Sequence, residues 1–114
     1  MALYLIAYLL PALLAIVAAP LALGKIPPNQ LYGFRTPKTL SSPDIWYPAN
    51  RIAGWWMIAA GALAICLNLV VWGTHPEWPS RTLAGVMGAF TLGAILIGAA
   101  LSFAYLRKLP NRNQ

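Results

Sequence analysis

Charged residues and histidine are absent from three long stretches of this 114-residue chain. The stretches are residues 2–23, 52–72 and 82–106. At 1.5 Å per helical residue each reaches about 30 Å or more, which matches the hydrocarbon core of a bilayer. A water-soluble domain of this size cannot bury three such helices on all sides. The sequence therefore predicts an all-α integral membrane bundle of three transmembrane helices in a single domain, residues 1–114. The predicted helices cover about residues 2–23, 49–73 and 81–107.

Cysteine, histidine and acidic residues are scarce, which excludes most kinds of metal and catalytic site. The single cysteine, Cys66, lies inside the second apolar stretch, so one chain can form neither a disulfide framework nor a cysteine-based metal cluster. The apolar stretches hold no carboxylate and no basic group, and so lack the usual groups of proton relays and ion pathways. Asp44 is explained as an acid in the first turn of a helix. We predict no catalytic residue, no metal and no cofactor, and expect that the protein is not an enzyme.

Basic residues are distributed unevenly between the two ends of the predicted bundle. Of the eight Lys and Arg residues, only Arg81 lies between the second and third stretches. The other seven are Lys25, Arg35, Lys38, Arg51, Arg107, Lys108 and Arg112. Because cytoplasmic segments carry the excess of Lys and Arg, we predict a bacterial inner-membrane protein with its N-terminus outside and its C-terminus in the cytoplasm. Such a basic rim is satisfied by anionic membrane lipid, and direct nucleic-acid binding is not expected.

Two polar features inside the apolar stretches predict contacts between helices. Pro11 removes the backbone hydrogen bond to the carbonyl of Ala7 and is expected to kink the first helix. Because lipid cannot satisfy that carbonyl, this face of the helix should pack against protein. Asn68 lies in the second helix, where a buried amide is expected to hydrogen-bond to a neighbouring helix.

Glycines recur at three-to-five-residue steps along the third helix and also occur in the second. They are Gly85, Gly88, Gly93 and Gly98 in the third helix, and Gly54 and Gly61 in the second. Small residues on one stripe let helix backbones approach closely. We predict helix packing through these glycines, and self-association or docking onto a larger membrane complex through the third helix.

The polar connection over residues 24–51 is rich in turn-forming residues. Two consecutive prolines and an asparagine precede Gly33, which is free to take a positive φ. Ser42 is followed by proline and Asp44, a pattern typical of a helix start with a hydroxyl cap and an acid in the first turn. Because another proline falls in the second turn, we predict a short interfacial helix over residues 43–47 that bends into the second transmembrane helix. The loop and this helix are expected on the cytoplasmic side.

One interpretation of the loop is structural. Trp46, Asn50 and Gly54 follow the spacing i, i+4, i+8, which places them along one helix face. With Asn29 and Gly33 they would pin the loop onto the bundle.

The other interpretation is a binding site. Arg35, Lys38 and Arg51, with free backbone amides at the helix start after Ser42, would form a pocket for an anionic headgroup or an acidic peptide segment. Arg35 is the most suggestive of these residues because it lies in the middle of the motif.

This region resembles the SdpI-type family of bacterial membrane proteins, which is named for immunity to a secreted, membrane-active peptide toxin. The resemblance is sharp over about residues 25–65. It rests on the runs Pro28-Asn29, Tyr32-Gly33-Phe34-Arg35-Thr36-Pro37, Thr39-Leu40 and Ser42, followed by Trp46, Asn50-Arg51 and Gly54. The resemblance implies a three-helix domain that protects against a toxin and, in the best-known member, recruits a transcriptional repressor to the membrane.

The leading hypothesis is a non-enzymatic immunity or signalling protein that binds a membrane-active peptide, or a lipid or other anionic group, through residues 25–51. The candidate binding residues are Asn29, Gly33, Arg35, Thr36, Pro37, Trp46, Asn50 and Arg51. One alternative is a structural or accessory subunit of a larger membrane complex. Another is a membrane enzyme that acts on lipid and holds a phosphate with Arg35 and Lys38. That enzyme would lack a base, because His75 and Glu77 lie in the opposite loop.

Overall fold

The computed structural model describes the backbone of residues 2–110 and the side chains of residues 5–110. Helix α1 runs over Ala2–Ala22, α2 over Pro43–Thr74 and α3 over Ser80–Lys108, and a short 3-10 helix covers Thr39–Ser41. The described part contains no strand. All three α-helices are long and apolar enough to cross a membrane, which confirms the predicted fold class. Arg112, one of the seven basic residues counted above, lies outside the described residues.

Helix α2 is the centre of the bundle. Both α1 and α3 pack along it, whereas α1 and α3 contact each other only sparsely. Its 32 residues correspond to roughly 48 Å of helix, well over the thickness of a hydrocarbon core. The first turns of α2 therefore extend past the membrane-spanning part, where the α1–α2 loop and the last turn of α3 surround them. We call this the motif end of the bundle.

The predicted short helix over residues 43–47 is not a separate element. A single continuous helix begins at Pro43 and passes through Pro48 without interruption. Pro48 removes only the bond to the Asp44 carbonyl, and Asp44 is exposed, so solvent can satisfy that group. The predicted start at Ser42 is right in position but not in mechanism. Ser42 makes no side-chain cap, and its backbone carbonyl instead accepts the N–H groups of Ile45 and Trp46 at 3.2 and 2.9 Å.

The contact predicted from Pro11 is confirmed. Pro11 is buried, and the carbonyl of Ala7 accepts a hydrogen bond of 3.0 Å from Nδ2 of Asn68 on α2. The amide of Asn68 thus replaces the backbone N–H that proline lacks. Its Oδ1 atom has no hydrogen-bond partner within residues 5–110, so Asn68 serves α1 as a donor. The carbonyl that Pro11 leaves free and the amide of Asn68 are therefore hydrogen-bond partners.

Glycines of α2 allow α1 to pack closely. A Cβ atom on Gly54 would lie 2.5 Å from the backbone nitrogen of Ala22, and one on Gly61 would lie 2.6 Å from the carbonyl oxygen of Pro11. The glycines of α3 behave differently. A Cβ atom on Gly98 would lie 3.0 Å from Cε of Met57, but at the other α3 glycines it would meet no atom of the described residues within 4 Å. Those open positions are Gly85, Gly88 and Gly93. Among the described residues, the packing role predicted for the α3 stripe is seen at Gly98 and not at the other three glycines.

Candidate functional site

The end of α1 directs the chain back onto α2. Gly24 takes a φ of 71°, its N–H donates to Leu21, and the N–H of Lys25 donates to Pro20. This pair of bonds is the Schellman pattern, which uses glycine because the left-handed conformation is strained for other residues. A Cβ atom on Gly24 would lie 2.8 Å from Nη2 of Arg51. Arg51 therefore lies beside the carboxyl end of α1, where a cation is favourable.

Asn29 folds the next part of the loop. Its Oδ1 accepts the N–H groups of Leu31 and Tyr32 at 2.9 and 2.7 Å. Its Nδ2 donates to the carbonyls of Pro27 and Tyr32 at 2.9 and 3.0 Å. An Asx turn of this kind replaces the backbone bonds that a helix or strand would supply. Burial raises the pKa of the Tyr32 phenol.

Asn50 and Trp46 on α2 fasten the loop to the bundle. Asn50 accepts the N–H of Phe34 at 2.6 Å and donates to the carbonyl of Phe34 at 3.2 Å. Trp46 is fully buried, and its Nε1 donates to the carbonyl of Ile26 at 2.7 Å. Gly33 has a φ of 118°, and a Cβ atom there would lie 2.8 Å from Oδ1 of Asn50. These contacts agree with the structural interpretation of the motif.

A second fastening joins the loop to the end of α3. Thr36 and Thr39 bond reciprocally: the N–H of Thr36 donates to the Thr39 hydroxyl oxygen at 2.7 Å, and the N–H of Thr39 donates to the Thr36 hydroxyl oxygen at 3.1 Å. Thr39 is fully buried. Nζ of Lys38, one residue earlier, donates to the carbonyl of Leu109 just beyond α3. Pro37 is exposed between these groups.

Apolar contacts reinforce the same junction. Ile45 and Ala49 of α2 form a buried cluster with Leu106 of α3, and Phe34 packs against it. The Phe34 ring also meets Phe103 of α3 edge to face, with 4.9 Å between the ring centroids. Phe34 and Thr39 join this junction although the motif pattern alone predicts no role for either residue. The three-residue spacing of Thr36 and Thr39 is the signal that could have identified the hydroxyl pair.

Arg35 is an exposed motif residue whose hydrogen bonds stay within the loop. Its Nε donates to the carbonyl of Asn29 at 2.9 Å, and its Nη2 contacts Oε1 of Gln30 at 3.4 Å. The side chain is exposed, and the nearby Leu31 is 93% exposed, which is unusual for leucine. The loop thus presents a guanidinium and an apolar side chain on a backbone fixed from beneath.

The three predicted cations do not share one pocket. Arg35 bonds to its own loop, Lys38 to the end of α3, and Arg51 lies beside the end of α1. The amides predicted to be free after Ser42 include those of Ile45 and Trp46, which bond to the Ser42 carbonyl. Within the described residues, no three His, Cys, Asp or Glu side chains come together as metal ligands.

These features define the class of the protein: a three-helix membrane protein whose first connection is folded and fastened onto the central helix. The SdpI/YfhL protein family matches residues 25–106, and the chain belongs to this family. The match confirms the resemblance drawn from the motif. Comparisons with curated proteins and with solved structures gave no match. Membership of this family suggests a membrane immunity-type protein.

Proposed function

We propose that this protein is a non-enzymatic immunity protein that binds a membrane-active peptide through the exposed face of its motif loop. Family membership supports the general role. The observation that carries the choice of site is Arg35, whose guanidinium is exposed on a loop that buried side chains hold in place. A binding group on a fixed loop loses little conformational freedom when a ligand arrives.

The chemistry of this face fits an amphipathic ligand. A guanidinium has five N–H donors, and within the described residues two of them are used by Asn29 and Gln30. Donors therefore remain for a carboxylate, which arginine can bind through two parallel hydrogen bonds. The exposed Leu31 side chain offers an apolar contact close by. A peptide with apolar side chains and a free carboxylate would satisfy both groups.

The proposed orientation places the motif end in the cytoplasm. It is supported by the excess of basic residues at this end, where Lys25, Arg35, Lys38 and Arg51 lie in the loop and the first turns of α2. In this orientation the protein would capture a peptide that has crossed the bilayer or reached its inner surface. Asp44, the acid at this end, is exposed in the first turn of α2, and it supports no catalytic assignment.

The test compares wild type, Arg35→Gln and the matched control Arg81→Gln, which removes an exposed arginine at the opposite end. Sensitive bacteria that express each variant are challenged with a membrane-active peptide carrying a free C-terminal carboxylate, and separately with its amidated form. We expect Arg35→Gln to lose protection and Arg81→Gln to keep it. Wild type should protect less well against the amidated peptide than against the peptide with a free carboxylate. Equal survival of Arg35→Gln and wild type would reject Arg35 as the binding group.

An accessory role in a larger membrane complex is the second candidate function. The observation that favours it is the open space at Gly85, Gly88 and Gly93, where the α3 backbone is accessible to another helix. Gly88→Leu should then weaken crosslinking and reduce the native mass, whereas Ala104→Leu, on an exposed part of the same helix, should not. Identical masses for Gly88→Leu and wild type would refute docking through this surface.

A further inference from the structure

A cavity of about 280 Å³ lies beneath the motif loop. All three helices contribute to its walls, and Gly33 and Phe34 of the loop lie against it at the motif end. Its main apolar lining residues are Leu14, Leu21, Met57, Ala99, Phe34 and Phe103. The cavity thus joins the membrane-spanning part of the bundle to the fastened loop.

The walls of the cavity favour an apolar occupant. Ser102 is a polar lining residue, and its hydroxyl donates to the carbonyl of Gly98 at 2.7 Å. An enclosed apolar cavity of about 150 Å³ can stay dry and bind a small hydrocarbon. This cavity is larger and is also mainly apolar, but it is partly open. It suits part of an alkyl chain better than it suits water.

The cavity is accessible from the side of the bundle. Its walls come from α1 and α3, which each pack on α2 and only sparsely on each other. Two of its lining side chains, Val17 and Phe103, are about half exposed. An alkyl chain can therefore enter between α1 and α3 directly from the bilayer without passing a charged group.

A cationic side chain follows the opening at the motif end of α3. Arg107 follows Phe103 by one helical turn on α3, and its Cα–Cβ bond leans back toward Phe103 because helical side chains tilt toward the N-terminus. Arg107 is exposed. An alkyl chain in the cavity would thus carry its headgroup toward positive charge.

We propose that the cavity binds one acyl chain of an anionic phospholipid whose phosphate group is held by Arg107. The bound lipid would fill the space between α1 and α3 and support Phe34 from beneath. This inference does not depend on the proposed peptide binding. It assigns a separate ligand to the membrane-spanning part of the protein.

Native mass spectrometry of the purified full chain tests the proposal. Protein in mild detergent is mixed with equal amounts of phosphatidylglycerol and phosphatidylcholine that carry identical acyl chains. Wild type should retain one phosphatidylglycerol with a preference of about fivefold, which is what one basic residue contributes near an anionic headgroup. Ala99→Leu fills the cavity and should lose this lipid. Ala100→Leu makes the same change at the neighbouring exposed position and should retain it.

A second pair of variants tests the headgroup. Arg107→Gln should bind both lipids equally, whereas Lys108→Gln should keep the preference. Leu14→Phe fills the cavity from α1 and replaces Ala99→Leu if that variant does not fold. The proposal is overturned if the cavity-filling variants retain as much lipid as Ala100→Leu. It is also overturned if wild type retains phosphatidylcholine to the same extent as phosphatidylglycerol, since the bound lipid would then be a general boundary lipid.

Discussion

Replacing Asn50 with alanine removes the side chain that pairs with both backbone groups of Phe34. Asn50 also donates to the carbonyl of Trp46 at 3.1 Å, but that carbonyl lies inside α2 and keeps a helical partner. The two bonds to Phe34 therefore determine the effect. Each neutral hydrogen bond contributes about 1 kcal/mol net, so the closed loop should lose about 2 kcal/mol relative to the open loop.

Hydrogen exchange at the Phe34 amide measures this loss directly. Because 1.4 kcal/mol corresponds to a factor of ten, protection of that amide should fall about thirtyfold in Asn50→Ala. Asn50→Asp keeps an acceptor for the Phe34 N–H but loses the amide donor. Exchange at the Phe34 amide in this variant should therefore be faster than in wild type and slower than in Asn50→Ala. Asn68→Ala is the matched control, since it removes a buried asparagine from the α1–α2 contact and not from the loop.

Unchanged protection at Phe34 in Asn50→Ala would refute this account of the loop. It would mean that Trp46 and the Phe34–Phe103 contact hold the loop without the amide. Faster exchange at Phe34 in Asn68→Ala would also contradict it, because the loop would then depend on the general stability of the bundle.

Three further predictions concern other parts of the molecule. The free energy of unfolding of Arg35→Gln should lie within about 0.5 kcal/mol of the wild-type value, as is usual for exposed substitutions. If Arg35→Gln loses as much stability as Asn50→Ala in the same detergent titration, Arg35 is part of the fastening. Gly61→Ala should destabilise the bundle by about 1–3 kcal/mol, because its Cβ would press on the α1 backbone. Gly93→Ala is its control, and should be neutral or stabilising in thermal unfolding because alanine favours helix. On a cysteine-free background, a cysteine at Leu40 should resist membrane-impermeant reagents in intact cells and one at Gly73 should react; the reverse pattern would invert the proposed topology.

The membrane-spanning architecture could be read from the sequence because its cause is local. Uninterrupted apolar stretches predict spanning helices, and Pro11 shows where a carbonyl needs a partner. The prediction of a separate short helix over residues 43–47 was wrong. A proline near an exposed helix end removes one backbone hydrogen bond, which solvent can replace, so the helix continues. For the α3 glycines, the spacing identifies a stripe of small residues but does not specify which helix packs against it. Within the described residues only Gly98 among them contacts another helix, and docking through the others stays a prediction.

The candidate site was predictable only in part. One interpretation of the motif predicts that Asn29, Gly33, Trp46 and Asn50 pin the loop onto the bundle, and the other assigns them to a binding site. The structure shows the loop bonded to Trp46 and Asn50, whereas the bonds of Asn29 lie within the loop. The bond from Lys38 to Leu109 joins residues 71 positions apart. No local pattern specifies such a pairing, because it depends on where α3 ends relative to the loop.

That long-range bond has a consequence for biosynthesis. The loop follows α1 and is synthesised early, yet its fastening to Leu109 and the Phe34–Phe103 contact require the last turns of α3. While α3 is still being made, residues 24–42 have only α1 and α2 to fold against. The junction between the loop and α3 is therefore completed last, whereas the bonds from the loop to Asn50 and Trp46 need only α2. A chain that stalls before α3 would lack this junction.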